Sequence, residues 1–147
     1  MPRDRAPMWA CPKCRRRFAN TNQTHTCSNT TLGAHFEGRP PQSRSLFDAF
    51  LRVVQSHGPV IVLPEKTRIA FQVRMSFAAI MVRNGYLRGH LVLAERHERP
   101  CVLKVETFSP RNHVHHFELR DAAQLRGEFG ALIGRAYRVG CQAHLDR

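Results

Sequence analysis

Four residues near the start of the chain have the types and spacing of a metal site: Cys11, Cys14, His25 and Cys27. The two-residue gap in Cys11-Pro12-Lys13-Cys14 lets a tight turn bring both sulfurs to one ion, with backbone amides left to donate to the thiolates. Zinc takes four ligands in a tetrahedron, and thiolate with imidazole is its usual structural set, so His25 and Cys27 complete a Cys3His site after a ten-residue loop. Four protein ligands leave no open position for water. The expected role is folding, with one structural zinc ion and a miniature core of Trp9 and Phe18 holding a segment too poor in apolar residues to fold alone.

Lys13, Arg15, Arg16 and Arg17 crowd the same knuckle. They suit phosphate, and they equally suit a solvated turn that offsets the charge of the thiolates. The knuckle lacks the two-histidine end and the spacing of a DNA-reading finger, so no base-reading helix is expected.

The remaining constellations do not close into a catalytic set. On a strand, His113-Val114-His115-His116 sends His113 and His115 to one face with Phe117 and Leu119, and His116 to the other with Glu118. A histidine among apolar neighbours reads first as a hydrogen-bonded core residue, and the sequence places no third metal ligand beside this run. Lys104-Val105-Glu106 and Glu65-Lys66 have the residue types of a magnesium-dependent nuclease in a poor order and spacing. No Ser/His/Asp or Cys/His set and no glycine-rich phosphate loop is present, so no catalytic residue is assigned. A pocket near Lys66, His115 and His116 is where a small ligand or an uncharacterised enzyme activity would sit. Cys101 and Cys141 read as small half-buried hydrophobes.

The elements that must position these groups begin after the knuckle. Residues 1–35 hold the zinc segment, residues 36–44 with Pro40-Pro41 read as a linker, and residues 45–147 as the main domain. An amphipathic helix is expected from Ser45 as cap, with Asp48 answering it and Leu46, Phe47, Phe50, Leu51 and Val54 on one stripe. Strand alternation follows in Thr67 to Arg74, Phe77 to Val82, Tyr86 to Leu93, Cys101 to Phe108 and Val114 to Leu119. Asn84-Gly85 marks a hairpin. Asp121 caps a last helix with Leu125, Phe129, Leu132, Ile133, Ala136 and Tyr137 as its stripe, in which Gly127, Gly130 and Gly134 are expected to pack closely on the sheet. Strands grouped between two helices imply an α+β domain: an antiparallel sheet of four or five strands with an N-terminal and a C-terminal helix on one face.

The net charge of +12 over 147 residues, carried almost wholly by arginine, favours polyanionic partners, although arginine-rich chains also arise from genomic base composition. The chain opens without the apolar stretch of a signal peptide and holds no apolar run long enough to cross a bilayer, so a cytoplasmic protein with no membrane partner is expected. Five cysteines, three at metal spacing, agree with a reducing compartment.

Trp9, Cys11-Pro12-x-Cys14, Phe18, Gln23-x-His25-x-Cys27, Phe36-x-Gly38-x-Pro40-Pro41, Leu46-Phe47-Asp48-Ala49, Gly58-Pro59-Val60, Pro64-x-Lys66-Thr67-x-Ile69-x-Phe71 and Phe77-Ala78 follow one another along most of the chain. In this order they resemble bacterial proteins of the domain of unknown function 5655 family, many of which carry such a knuckle-like front. The resemblance implies the fold just described and no activity.

The leading functional expectation is a non-enzymatic binding module that meets nucleic acid through Lys13, Arg15, Arg16, Arg17, Arg68, Arg74, Arg83 and Arg88. Arg68 and Arg74 would lie about 20 Å apart on the polar face of one strand, with Tyr86 and His90 adding stacking. The alternatives are a protein-interaction or small-ligand module and an enzyme using the Lys66, His115 and His116 pocket.

Overall fold

The computed structural model describes residues 7–22 and 30–145. Its first element is a short hairpin of β1 (Trp9–Ala10) and β2 (Arg17–Phe18), paired antiparallel with Trp9 opposite Phe18. The main body runs α1 (Pro41–Gln55), β3 (Ile61–Pro64), β4 (Ile69–Gln72), β5 (Ser76–Val82), β6 (Leu87–Leu93), β7 (Lys104–Ser109), β8 (Asn112–Leu119) and α2 (Glu128–Gly140). The six later strands form one antiparallel sheet in the order β3-β4-β5-β6-β8-β7. The fold is α+β, as expected, with one strand more than the upper expectation because Ile61–Pro64 pairs along β4 as an edge strand.

The helices form because their apolar residues recur on one stripe. Leu46, Phe47, Phe50 and Val54 are buried on α1, and Phe129, Leu132, Ile133, Ala136 and Tyr137 on α2, while Arg44, Arg52 and Glu128 stay outside. These stripes meet the alternate residues Leu87, Leu91, Phe117 and Leu119 of the central strands. Phe50 lies between Phe71 and Phe117, with ring centroids 5.2 and 5.8 Å away, and Phe117 reaches Phe129 at 4.7 Å. Full burial of each such ring contributes about 1.5–3 kcal/mol.

The helix α1 starts earlier than its sequence suggests. Pro41 occupies its first turn behind an extended Pro40, so the start lies within the 36–44 stretch read as linker, and Ser45 is not the cap. Asp48 pairs with Arg44 at 3.1 Å, one turn back. Upstream, Phe36 packs edge-on against Phe47 at 5.3 Å. Ser43 is buried; its hydroxyl donates to the Arg83 carbonyl at 2.6 Å and accepts from Gly85 N–H at 2.9 Å, tying α1 to the β5–β6 turn. That turn is the expected Asn84-Gly85 hairpin, with positive φ at Gly85. Asp121 caps a short 3-10 turn, Ala122–Leu125, in a reciprocal box with Gln124, and α2 proper begins only after Gly127. Gly130 and Gly134 closely approach the Leu125 carbonyl and the His57 ring rather than the sheet.

Among the described residues no helix is long and apolar enough to cross a membrane.

Candidate functional site

The faces of the sheet differ because strand side chains alternate. In β8 the odd-numbered residues His113, His115, Phe117 and Leu119 are buried toward the helices, while His116 and Glu118 emerge on the other side. Cross-strand register then fixes what shares that open face. Leu63, Ala70, Ala79, His90, His116 and Lys104 fall in one row across all six strands. Arg88 and Glu118 oppose each other one step along, and Glu106 lies two residues beyond Lys104 on β7.

The N-terminal hairpin is docked on the β3–β4 half of this face. Gln72 donates through Nε2 to the Arg17 carbonyl, and Arg16 Nη1 reaches Glu65 Oε2 at 3.4 Å. Glu65 also holds Arg68 at 2.9 Å, so one carboxylate links the hairpin to the sheet through two guanidinium groups. Ala70 and Ala79 are buried at 2% and 3% exposure, although they point away from the helices.

Beyond the hairpin the face carries titratable groups in contact. The His90 and His116 rings lie edge to face with centroids 5.9 Å apart. His116 Nε2 donates to Glu106 Oε1 at 2.6 Å, and Lys104 Nζ stands 4.0 Å from the same carboxylate. The bond from His116, and then the Lys104 charge, hold the Glu106 carboxyl below its ordinary range. Burial first, then the positive charges of Arg68 and His116, push His90 down to about 4, with Glu106 opposing. His90 is therefore an uncharged imidazole at neutral pH beside a second imidazole bonded to a carboxylate.

The pocket expected from Lys66, His115 and His116 does not exist as a unit. Lys66 is exposed in the β3–β4 turn, and His115 faces the helices, opposite to His116. His115 is a satisfied core residue: Nε2 accepts from His97 N–H at 2.8 Å and Nδ1 donates to the His113 carbonyl at 2.9 Å. Its neighbour His113 is bonded to Thr107 and the Pro110 carbonyl.

The arginines expected to track a backbone separate into two kinds. Arg68 and Arg74 do not share a strand face, because β4 ends at Gln72 in a bulge; Arg74 turns to the C-terminal side of α2, bonding Gln142 at 2.8 Å while its N–H meets the Gly140 carbonyl. Arg16 and Arg68 are held by Glu65, and Arg83 lies half-buried at the β5–β6 turn against Met81. Arg120 lies 4.0 Å over one face of the Tyr86 ring. Lys13, Arg15 and Arg17 are exposed on the hairpin, and Arg88, half-exposed, meets Glu118 only at 3.7 Å.

The knuckle residues that can be followed form a tight turn. Between β1 and β2, Cys11 N–H donates to the Arg16 carbonyl and Arg15 N–H to the Cys11 carbonyl, both at 2.8 Å. Arg15 sits at φ 64°, the left-handed conformation that closes the turn. Cys11 is buried, Cys14 half-buried, and Trp9 packs on Phe18 at 6.2 Å. His25 and Cys27 lie outside the described residues. Among the described residues no three His, Cys, Asp or Glu side chains form a metal-binding set.

Cys101 and Cys141 are half-buried against the core, as expected, and burial raises both thiols. The His90, His116 and Glu106 cluster was hidden from sequence reasoning because β8 inserts between β6 and β7, so His116 meets β6 on one side and β7 on the other. Period-two alternation alone did place His90 and His116 on polar faces.

A family model described as a domain of unknown function (DUF5655) matches residues 32–140. No curated protein and no solved structure matches the chain.

Proposed function

Because the chain belongs to the family described as a domain of unknown function (DUF5655), which names no activity, we propose a function from its surface: a zinc-containing module that binds nucleic acid across the open face of the sheet. One observation carries the reading. The hairpin docks on that face through Gln72 and Glu65, so the exposed Lys13, Arg15 and Arg17 flank the same surface that carries Arg88 and Lys104. From β4 to β7 the sheet crosses four inter-strand steps, about 19 Å, which accommodates several phosphates. These five cations, rather than the full arginine set, are the phosphate contacts; Arg16 and Arg68 act by fixing the hairpin to the sheet.

Zinc fits the hairpin's donor set. Cys11 and Cys14 stand on one tight reversal closed by backbone bonds between Cys11 and Arg16 and between Arg15 and Cys11, and His25 and Cys27 would complete a tetrahedral Cys3His site. The ion supplies folding free energy, about 10–16 kcal/mol in small zinc peptides, to a segment whose apolar core is chiefly Trp9 and Phe18. Bound there, it would hold Lys13, Arg15 and Arg17 in place.

Alanine at Lys13, Arg15 and Arg17 together is expected to weaken binding to a single-stranded oligonucleotide and to lower the salt slope of the affinity by about 2–3. The Arg74→Ala and Arg83→Ala variants are expected to bind as the unmodified chain does. Equal loss in both groups would leave only a diffuse basic surface.

A further inference from the structure

We infer that His90, His116, Glu106 and Lys104 form an acid–base site that cleaves RNA by transfer of the phosphodiester to the neighbouring 2′-hydroxyl. This reading rests on the nucleic-acid interface proposed above. His90, His116 and Lys104 occupy opposed register positions on three adjacent strands, all on the open face, and strand spacing sets successive groups about 5 Å apart. A phosphodiester lying along the row meets two imidazoles and then an ammonium.

The two imidazoles are not equivalent. His116 donates one nitrogen to Glu106 at 2.6 Å, and a carboxylate so placed fixes the ring and leaves its other nitrogen for a substrate. His90 has no such carboxylate partner and is held uncharged by burial beside Arg68. Neighbouring titratable groups set apart by their surroundings are the arrangement from which acid and base roles follow.

The cluster has no hydroxyl or thiol of its own. The surrounding open-face positions are Ala79, Met81, Val92 and Val114, which carry no hydroxyl or thiol. A substrate that brings its nucleophile adjacent to phosphorus suits it best, and RNA does so through the 2′-hydroxyl. As the 2′ oxygen bonds to phosphorus, its proton passes to His90. The bond from phosphorus to the 5′ oxygen of the next nucleotide breaks, and that oxygen takes a proton from the His116 imidazolium. The ammonium of Lys104 offsets charge on the non-bridging oxygens. The products are a 2′,3′-cyclic phosphate and a 5′-hydroxyl end. No co-reactant is consumed, and exchange with solvent returns both histidines to their starting states.

The test uses the full zinc-loaded chain, a 5′-labelled single-stranded oligoribonucleotide, the same sequence with 2′-O-methyl groups, and the same sequence as DNA. Binding and cleavage are read in parallel, and product ends are identified by mass. Cleavage of the unmodified RNA alone, leaving 2′,3′-cyclic phosphate, is expected. His90→Gln and His116→Gln should each lower the rate about 10²- to 10⁴-fold, with binding retained and circular dichroism unchanged. Glu106→Gln should reduce the rate less. RNA that is bound and stays intact, cleavage of the 2′-O-methyl strand, or undiminished cleavage by folded His116→Gln would overturn the site and leave the binding proposal standing. RNA neither bound nor cut would overturn both.

Discussion

His90 shows how a single position joins stability to the surface it serves. Its unfolded imidazole titrates near 6.5, whereas in the fold burial and Arg68 hold it near 4, with His116 adding repulsion and Glu106 opposing. Between those values the unfolded chain binds a proton that the native chain refuses. The contribution is therefore fully present above pH 6.5 and is lost as the pH falls toward 4, by about 3 kcal/mol at most. Thermal melts from pH 7.5 to 4.5 should show His90→Asn losing less stability on acidification than the unmodified chain; parallel curves would mean that His90 is solvated and ordinary. The sequence displayed this residue only in part. Strand alternation around Leu87 to Leu93 put His90 on the polar face, but its neighbours come from β7 and β8, and no local pattern reports that pairing. For His115 the local signal sufficed, because Phe117 and Leu119 share its face and mark it as core.

At the scale of elements, the central strand β6 owes its place to Gly89. A Cβ there would stand 2.5 Å from the Ala79 carbonyl oxygen and 2.8 Å from the Phe117 ring. Alanine must push the backbone of β5 or the aromatic core, at a cost of about 1–3 kcal/mol. Urea unfolding of Gly89→Ala should show a lower midpoint at unchanged slope, and an unchanged midpoint would mean that the sheet yields freely. The elements themselves were largely legible, since two apolar stripes of helical period and several alternating segments between them have few other solutions. The boundaries that were missed have local causes. Pro40-Pro41 reads as extended chain, yet a proline in the first turn of a helix loses no hydrogen bond, so α1 begins there. Edge strand β3 is too short to display a period, and the bulge after Phe71 ends β4 before Arg74.

For the whole molecule, the net charge of +12 indicated a polyanion without saying where it would bind. The fold restricts that charge. Glu65 and the C-terminal side of α2 engage Arg16, Arg68 and Arg74, leaving the hairpin tip with Arg88 and Lys104 to flank the histidine row. Sequence spacing marked the tight Cys11–Cys14 turn; the docking of the hairpin on the sheet is tertiary and had no sequence signal. The most direct measurement is fluorescence anisotropy of the zinc-loaded chain against short single-stranded RNA and DNA over a salt series, with zinc-stripped protein and heparin as controls. Five phosphate contacts on a single strand predict log affinity falling with log salt at a slope near −3.5, with tighter binding when zinc is present. A slope near zero, or binding indifferent to zinc and matched by heparin, would contradict a nucleic-acid interface built from the hairpin and the open sheet.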